Sequence, residues 1–279
     1  MTDANIPRHM PFIRLSPPTE RRMPADFDEL LMSRAARFGP SACVWEAGRA
    51  LVVPRTYRRL PRFTKACRRF AQIGWPVTVR QSGGGLVPQG PGIVNLSLAY
   101  AVDGPPLSRT EGVYRHLCAL VAETLGDYGI VSHPQAVTGS FCDGRYNLAW
   151  TGADGIARKI VGTAQLWRRI AAPVNGGAAQ EPADPRPGTP GIPAQADARH
   201  TPPIQIVLAH AVILAAVDTN AITRVANGFE RAAGGTAHYD PDRIASLHAI
   251  AGKDSHDGCA FTRDIIESLE KHIATAPIP

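Results

Sequence analysis

One cysteine of the sequence lies where a reactive thiol is expected. Cys142 stands in the segment 139–148, between two glycine-bearing turns and among polar residues. A nucleophilic thiol needs a partly exposed loop and a nearby cation that favours the thiolate. The same pattern fits a small buried residue at a turn, so both interpretations stay open on these residues alone. The other cysteines lie in apolar or helical segments and are predicted to be structural: Cys43, Cys67, Cys118 and Cys259.

A run of three glycines follows a predicted strand that ends at Arg80. Ser82 precedes this run, which comprises Gly83, Gly84 and Gly85. Glycines let backbone N–H groups come close to a phosphate, a carboxylate or an acyl carbonyl, and Arg80 could present its guanidinium fork to an anion. The alternative is a flexible turn between strands. The spacing matches neither of the common nucleotide-binding glycine motifs.

Lys159 is one of only four lysines among the 30 basic residues, so we expect it to be needed as a lysine. It lies in a predicted strand, where regular alternation would place it on one face together with Thr163. Gly162 and Ala164 would lie on the opposite face. A lysine among small strand residues can occupy a pocket as a compact point charge, or it can simply be exposed.

Composition limits the classes of protein that the sequence can encode. With 44% hydrophobic residues, the 279-residue chain can form a core, and it has no apolar run of the roughly 20 residues that a membrane span needs. The N-terminus has no apolar segment typical of a secretory signal. The five cysteines show no zinc-binding spacing, and we expect a reduced cytoplasmic location and no metal site.

The predicted elements mix strands and helices without βαβ repetition, which favours an α+β fold with a mixed β-sheet core flanked by helices. Strands are predicted at 43–45 and 50–53 (joined as a hairpin at Gly48), 77–80, 92–102, 146–150, 158–170 and 204–217. Helices are predicted at 26–38, 57–73, 110–128, 220–233, 241–251 and 261–274.

The domain organisation is predicted from shifts in composition. Residues 1–25 are expected to form a flexible N-terminal arm, and residues 26–279 a single domain with a helical C-terminal segment from about 241. Residues 172–203 contain eight prolines and no apolar periodicity, so we expect a disordered insertion there.

Taken together, three segments resemble the signatures of the biotin/lipoate protein ligase superfamily. They are residues 80–85, 92–97 and 159–165, in the family's order and at plausible separations. The resemblance covers roughly residues 26–232 without the insertion. It implies that the glycine turn lies along an acyl chain and its activated carbonyl, and that the lysine contacts the acyl carbonyl.

The resemblance also nominates the residues of the site. Cys142 and Lys159 are expected to be catalytic. The expected substrate-binding residues are Arg80, Ser82, Gly83, Gly84, Gly85, Asn95, Ser97, Gly162, Thr163 and Ala164.

The cysteine segment is similar to that of the octanoyl/lipoyl amidotransferases, in which the cysteine carries the acyl group as a thioester. Asp143 replaces the family's usual proline, and Asn147 replaces an acidic residue often found there. ATP-dependent lipoate ligases commonly have a His-Asp pair soon after the glycines, and the matching stretch here is Pro88-Gln89-Gly90-Pro91. Only 46 residues follow Ala233, which is few for the accessory domain of those ligases.

We therefore expect an octanoyl/lipoyl transferase that moves an acyl group onto a lysine of a lipoyl-carrier domain. The resemblance implies carrier partners such as the glycine-cleavage H protein and the lipoyl domains of 2-oxoacid dehydrogenases, and a transferase would need no cofactor. We expect no membrane partner, since no apolar run is long enough, and no nucleic-acid partner, since the sequence has no helix-turn-helix or RNA-binding signature. An ATP-dependent lipoate-protein ligase, using ATP and Mg²⁺, is the alternative. A second alternative is a non-catalytic lipoyl-carrier or nucleic-acid binding protein, suggested by the net charge of +6 and the arginines of residues 55–69.

Overall fold

The computed structural model describes residues 11–16, 24–170, 204–252 and 257–279. Six α-helices lie in this part of the chain: α1 (Pro24–Phe38), α2 (Phe63–Gln72), α3 (Pro106–Gly126), α4 (Thr219–Ala233), α5 (Leu247–Ala251) and α6 (Gly258–Thr275). Its strands are β1 (Ile13–Arg14), β2 (Ser41–Glu46), β3 (Ala50–Pro54), β4 (Val77–Arg80), β5 (Val87–Gln89), β6 (Ile93–Val102), β7 (His133–Pro134), β8 (Leu148–Thr151), β9 (Ala157–Ile170) and β10 (Ile204–Leu214).

The strands form two sheets. The large sheet has the order β1-β2-β6-β10-β9-β8-β7 and is antiparallel except for the β1–β2 pair. The small sheet has the order β4-β3-β5, with β3 parallel to β4 and antiparallel to β5. Mixed sheets flanked by helices confirm the predicted α+β class.

The large sheet buries both of its faces. On one face, α3 and α6 pack against apolar residues of β6 and β10 in the main core. On the other face lie α1, which packs against β6 and β10, and the small sheet with α2 and α4. The helix α6 is thereby integrated into the main core through Phe261, Ile265 and Leu269.

The predicted hairpin between residues 43–45 and 50–53 is wrong. The two strands exist, but β2 pairs with β1 and β6 in the large sheet, while β3 pairs with β4 and β5 in the small one. Both strands are almost entirely buried, so each needs partners and cover on both sides. The chain therefore crosses between the sheets here instead of turning back.

Two predicted helices are interrupted. The one predicted at 57–73 splits into a 3-10 helix (Arg55–Arg59) and α2, because Pro61 holds Leu60 in an extended conformation with ψ 138°. The one predicted at 241–251 splits into a 3-10 turn (Pro241–Arg243) and the short α5. The apolar stretch from residue 204 forms the single strand β10, which ends at Leu214.

Part of the predicted N-terminal arm is fixed on the domain. The ring of Phe12 packs against Tyr100 at 5.9 Å between centroids, and β1 pairs with the first residues of β2. The prediction of a flexible arm is therefore wrong for residues 11–16, because an aromatic side chain anchors them. Residues 1–10 and 17–23, and the predicted insertion at 172–203, lie outside the described residues. Across the described ranges, no helix is both long and apolar enough to cross a membrane.

Candidate active site

Most of the nominated residues line one pocket between the two sheets. Its walls come from β6, β9 and β10 of the large sheet, from the small sheet, from α1 and from the loop that carries Cys142. It encloses about 1010 Å³ of empty space, including its open mouth. The nominated residues that line it are Arg80, Ser82, Asn95, Cys142, Lys159, Gly162, Thr163 and Ala164. Aliphatic side chains such as Leu208, Val212 and Leu214 form much of the remaining wall.

Cys142 is held in an unusual backbone conformation. Its φ of 49° makes it the one non-glycine residue in the described ranges with a left-handed backbone. A non-glycine residue pays a steric penalty in this region, and such strain persists only where the surrounding structure fixes it. Cys142 is half-buried and its Sγ faces the glycine turn.

The glycine turn fits closely against the thiol. A Cβ atom on Gly84 would lie 2.4 Å from Cys142 Sγ, and one on Gly85 would lie 3.6 Å from the Cys142 backbone nitrogen. Gly84 also has a φ of 102°, which favours glycine. Gly84 is therefore glycine for two reasons, its conformation and the space that the sulfur occupies.

Arg80 forms hydrogen bonds with backbone carbonyls of the glycine turn. Its guanidinium donates to the carbonyl oxygens of Gly83 (2.9 Å), Gly85 (2.7 Å) and Val52 (3.2 Å). A Cβ atom on Gly84 would also lie 3.0 Å from Arg80 Nη2, on the side of the turn that Cys142 Sγ occupies. Burial lowers the pKa of Arg80, although a guanidinium stays charged at neutral pH. The fork expected to bind an anion thus binds backbone carbonyls and stands beside the nucleophile candidate.

Lys159 is buried beneath the Cys142 loop. Its ammonium donates to the carbonyl oxygen of Phe141 and, at 3.1 Å, to that of Cys142. Desolvation by burial lowers the pKa of Lys159 to about 8, against the opposing influence of a negative charge on Cys142. Lys159 therefore fixes two consecutive carbonyls of the loop and carries a positive charge below about pH 8.

A β-bulge decides which face Lys159 occupies. Lys159 pairs with Ala149 and Val161 pairs with the adjacent Leu148, so Ile160 is an extra residue in β9. Ile160 and Val161 both enter the main core behind the sheet. The predicted alternation is consequently wrong: Lys159 shares the pocket face with Gly162, where an added Cβ would come 3.0 Å from the Lys159 Nζ.

Asn147 and Thr163 connect the cysteine loop to β9. The Asn147 amide donates to the Cys142 carbonyl at 2.7 Å and accepts from the Thr163 backbone N–H at 3.1 Å. The Thr163 hydroxyl donates to the Tyr146 carbonyl at 2.8 Å. Asn147 can make both bonds because an amide donates and accepts, whereas the acidic residue of related sequences could only accept when ionised.

Asn95 and Ser97 each form hydrogen bonds with another residue that lines the pocket. Asn95 exchanges two 3.0 Å hydrogen bonds with the buried amide of Gln89. Ser97 bonds Nδ1 of His210 at 2.8 Å, and it is His210 that reaches the pocket wall. Burial and then the charge of Arg80 lower the pKa of His210 to about 4, so this imidazole is neutral at physiological pH.

Sequence reasoning missed two groups of residues around the site. Asp28 of α1 lines the pocket, and its pKa is raised to about 7 by desolvation and by the neighbouring Glu29. Tyr57 and Tyr239 both donate to the buried carboxylate of Glu230. These residues come from distant segments of the sequence and belong to no motif.

Tyr239 contacts both parts of the site. Its ring packs against Phe141 at 4.9 Å between centroids, and its hydroxyl would lie 3.7 Å from a Cβ on Gly85. Its backbone N–H and carbonyl are held by the Asn227 amide, with both bonds 2.8 Å long. Tyr239 therefore ties the residue before Cys142 to the glycine turn.

The assembled site joins a loop thiol, a guanidinium beside it, a buried ammonium under its loop and a largely aliphatic slot. A thiol in such surroundings can attack an acyl carbonyl and hold the acyl chain in the slot. An octanoyl chain, about 10 Å long, needs only a narrow apolar pocket of this kind.

The chain is similar to known proteins of one family. Residues 24–176 match the lipoyl protein ligase A/B catalytic domain. An uncharacterized protein of Cupriavidus necator is 44% identical over 256 residues, which cover 90% of this chain and 92% of that protein. The octanoyl-[GcvH]:protein N-octanoyltransferase of Kyrpidia tusciae is 44% identical over 97 residues, or 34% of this chain and 31% of that enzyme. The crystal structure of lipoate-protein ligase A bound with ATP has a TM-score of 0.59 at 16% identity, covering 95% of this chain and 86% of that one, and this likeness shows the fold alone.

Proposed function

The chain belongs to the lipoyl protein ligase A/B catalytic domain family, and on this basis we propose that it transfers an octanoyl or lipoyl group between carrier proteins through a thioester on Cys142. Membership makes the chain an enzyme of lipoyl or octanoyl attachment, so the non-catalytic alternative is discarded. The observation that carries the proposal is the position of Cys142 at the pocket wall: its backbone is in the left-handed region and its Sγ lies beside Gly84 and near Arg80.

In the first step, the Cys142 thiolate attacks the carbonyl carbon of an acyl-lysine amide on a donor carrier. The C–S bond forms, the C–N bond breaks, and the donor lysine leaves as an amine that takes up the proton released by the Cys142 thiol. The Arg80 guanidinium lies close to the sulfur, on the same side of the glycine turn. Splitting one difficult amide exchange into two acyl transfers is the advantage of covalent catalysis.

In the second step, the amine of an acceptor lysine attacks the thioester. A new amide forms, the C–S bond breaks, and the proton lost by the amine restores the thiol. One amide is broken and one is made, so the exchange balances without nucleotide hydrolysis. Lys159 has three ammonium protons and uses two on the loop carbonyls, which leaves one for an acyl oxygen that becomes negative in either step.

Two observations support the transferase over the ligase. The similarity to the Kyrpidia tusciae octanoyltransferase and the placement of Cys142 both favour a thioester route. In the ligase alternative, Lys159 would bind an acyl-adenylate and Cys142 would be incidental. The stretch 88–91, which matches the region of the His-Asp pair in related ligases, contains Gln89, whose amide exchanges two hydrogen bonds with Asn95.

The proposal is tested by mixing octanoylated glycine-cleavage H protein, an apo lipoyl domain and the purified chain without ATP. Acyl movement is followed by intact mass. We expect transfer by the parent protein and a loss of several powers of ten in Cys142→Ser, since an alkoxide is far harder to form than a thiolate near neutral pH. The two side chains differ little in size, so the melting temperature should be unchanged.

Two outcomes would replace this mechanism. Transfer that persists in Cys142→Ser would exclude the thioester. Transfer only from free octanoate or lipoate with ATP and Mg²⁺, equally fast in both proteins, would assign the chain to the ligases.

A further inference from the structure

The positive charge of the chain is concentrated in one segment. Residues 47–102 contain nine of the 30 basic residues and none of the 24 acidic ones. The remainder of the chain has 21 basic and 24 acidic residues and is therefore slightly acidic. The net charge of +6 is thus a local property of this segment and not a general feature of the surface.

Most of these cations form one exposed surface on the 3-10 helix and α2. We call it the basic face and define it by Arg55, Arg58, Arg59, Lys65, Arg68 and Arg69, all of which are exposed. In the described part of the chain, none of these six side chains forms a salt bridge. Arg62 differs, because its guanidinium donates to the Arg231 and Ala232 carbonyls at the end of α4.

The basic face is fixed next to the candidate active site. Tyr57 lies between Arg55 and Arg58, and its hydroxyl donates to Glu230, the carboxylate that also binds Tyr239. Tyr239 in turn contacts Phe141 and the glycine turn. Three side chains, those of Tyr57, Glu230 and Tyr239, thus connect the basic face to the glycine turn and to the residue before Cys142.

Aromatic side chains of the same segment are packed in the protein and are not exposed beside the cations. Tyr57, Phe63 and Phe70 all pack in the core between α2 and α4. A platform for single-stranded nucleic acid needs exposed rings on which bases stack, in addition to charge. The segment presents charge without such a platform, which favours a protein partner.

We infer that the basic face docks the carrier domain, and that the carrier presents a surface rich in carboxylates around its acyl-lysine. This inference rests on the proposed function, which requires a protein carrier at Cys142. Opposite charges would steer the two proteins together and orient the acyl-lysine toward the pocket, an effect that typically raises association rates by about 10- to 1000-fold.

The test compares two charge reversals of equal size. Arg58→Glu with Arg59→Glu alters the basic face, and Arg263→Glu with Lys271→Glu alters exposed positions on α6, which packs on the opposite face of the large sheet. Each double variant lowers the net charge by four. Fluorescence anisotropy measures how each variant binds a labelled apo lipoyl domain and labelled octanoylated H protein at two ionic strengths. A separate assay measures the loading of Cys142 by a small thioester, octanoyl-N-acetylcysteamine.

We expect the basic-face variant to bind both carriers at least about tenfold more weakly and to lose most of the salt dependence of binding, while the α6 variant behaves as the parent. Carrier binding that is unchanged in the basic-face variant overturns the inference. So does a variant that loses affinity only for a DNA or RNA oligonucleotide, which would assign the face to nucleic acid. Failure of the small thioester to load Cys142 in the parent protein would count against the proposed function alone, because carrier binding is measured separately.

Discussion

Gly84 is the residue whose replacement most directly perturbs the thiol. A methyl group there would lie 2.4 Å from Cys142 Sγ, and the φ of 102° is unfavourable for alanine. We expect Gly84→Ala to reduce acyl transfer by about 100-fold or more, the loss typical of misplacing a reacting group by about 1 Å. Gly83→Ala is the matched control, since open space surrounds the position of its added Cβ. Equal activity of the two variants would contradict the close fit.

Asp28 should make the stability of the protein depend on pH. Burial raises its pKa to about 7, so the folded protein binds this proton more tightly than the unfolded chain. The free energy of unfolding therefore falls as pH rises from about 4 to about 7. We expect Asp28→Asn to raise the melting temperature relative to the parent at pH 8 and to change it much less at pH 5.

Thermal unfolding at the two pH values checks this expectation. Asp264→Asn, at an exposed position of α6, serves as the control and should show no comparable difference. A stabilisation by Asp28→Asn that is equal at both pH values would show that ionisation is not its cause.

At the residue scale, the residues that the sequence nominated can be compared with their positions and contacts in the structure. Cys142, Lys159 and Arg80 do meet at one pocket. The cation beside the thiol is Arg80, however, whereas Lys159 holds loop carbonyls. Asp28 and Tyr239 could not be found from sequence, because neither belongs to a motif and both depend on how distant segments pack.

Among the elements, the loop after α4 determines how the cysteine loop and the glycine turn are held together. Removing the hydroxyl of Tyr239 leaves Glu230 with one of its two tyrosine donors. We expect Tyr239→Phe to lower the free energy of unfolding by about 0.5–1.5 kcal/mol, the usual net contribution of one hydrogen bond. Loading of Cys142 by a small octanoyl thioester should also slow.

Tyr100→Phe provides a contrast with the same chemical change. The Tyr100 hydroxyl is buried without a hydrogen-bond partner in the described structure, so its removal should leave stability unchanged or increase it. Urea unfolding of the two variants measures both effects. Destabilisation of similar size in both would show that loss of the Glu230 bond is not the cause.

The positions of strands follow from local pattern, whereas their partners do not. β2 and β3 were predicted within a few residues, but apolar composition cannot say which sheet each joins. The bulge at Ile160 was equally inaccessible, because it exists only through the register between β8 and β9. Alternation along one strand thus predicted the wrong face for Lys159.

For the molecule as a whole, residues 172–203 are predicted to be dispensable. The flanking strands β9 and β10 are antiparallel neighbours in which Ile170 pairs with Ile204, so their ends lie close enough for a short turn. We expect replacement of 172–203 by a four-residue linker to leave the melting temperature and acyl transfer nearly unchanged. A large loss of either would show that the segment contacts the core or the carrier.

The fold class was accessible from sequence because mixed strands and helices without βαβ repetition indicate an α+β architecture. The division into two sheets was not, since it depends on contacts between β3, β4 and β5 that no local pattern encodes. The pocket lies between these sheets, so its shape is a property of the assembled molecule.

The central claim, a thioester on Cys142, is tested most directly by the intact mass of the protein after incubation with octanoylated H protein in the absence of ATP and acceptor. The account predicts an increase by one octanoyl group, located on Cys142 by peptide mapping, removed by hydroxylamine and absent from Cys142→Ser. Two results would contradict this claim. One is that the parent protein carries no adduct although it transfers the acyl group to an added apo lipoyl domain. The other is an adduct that persists in Cys142→Ser.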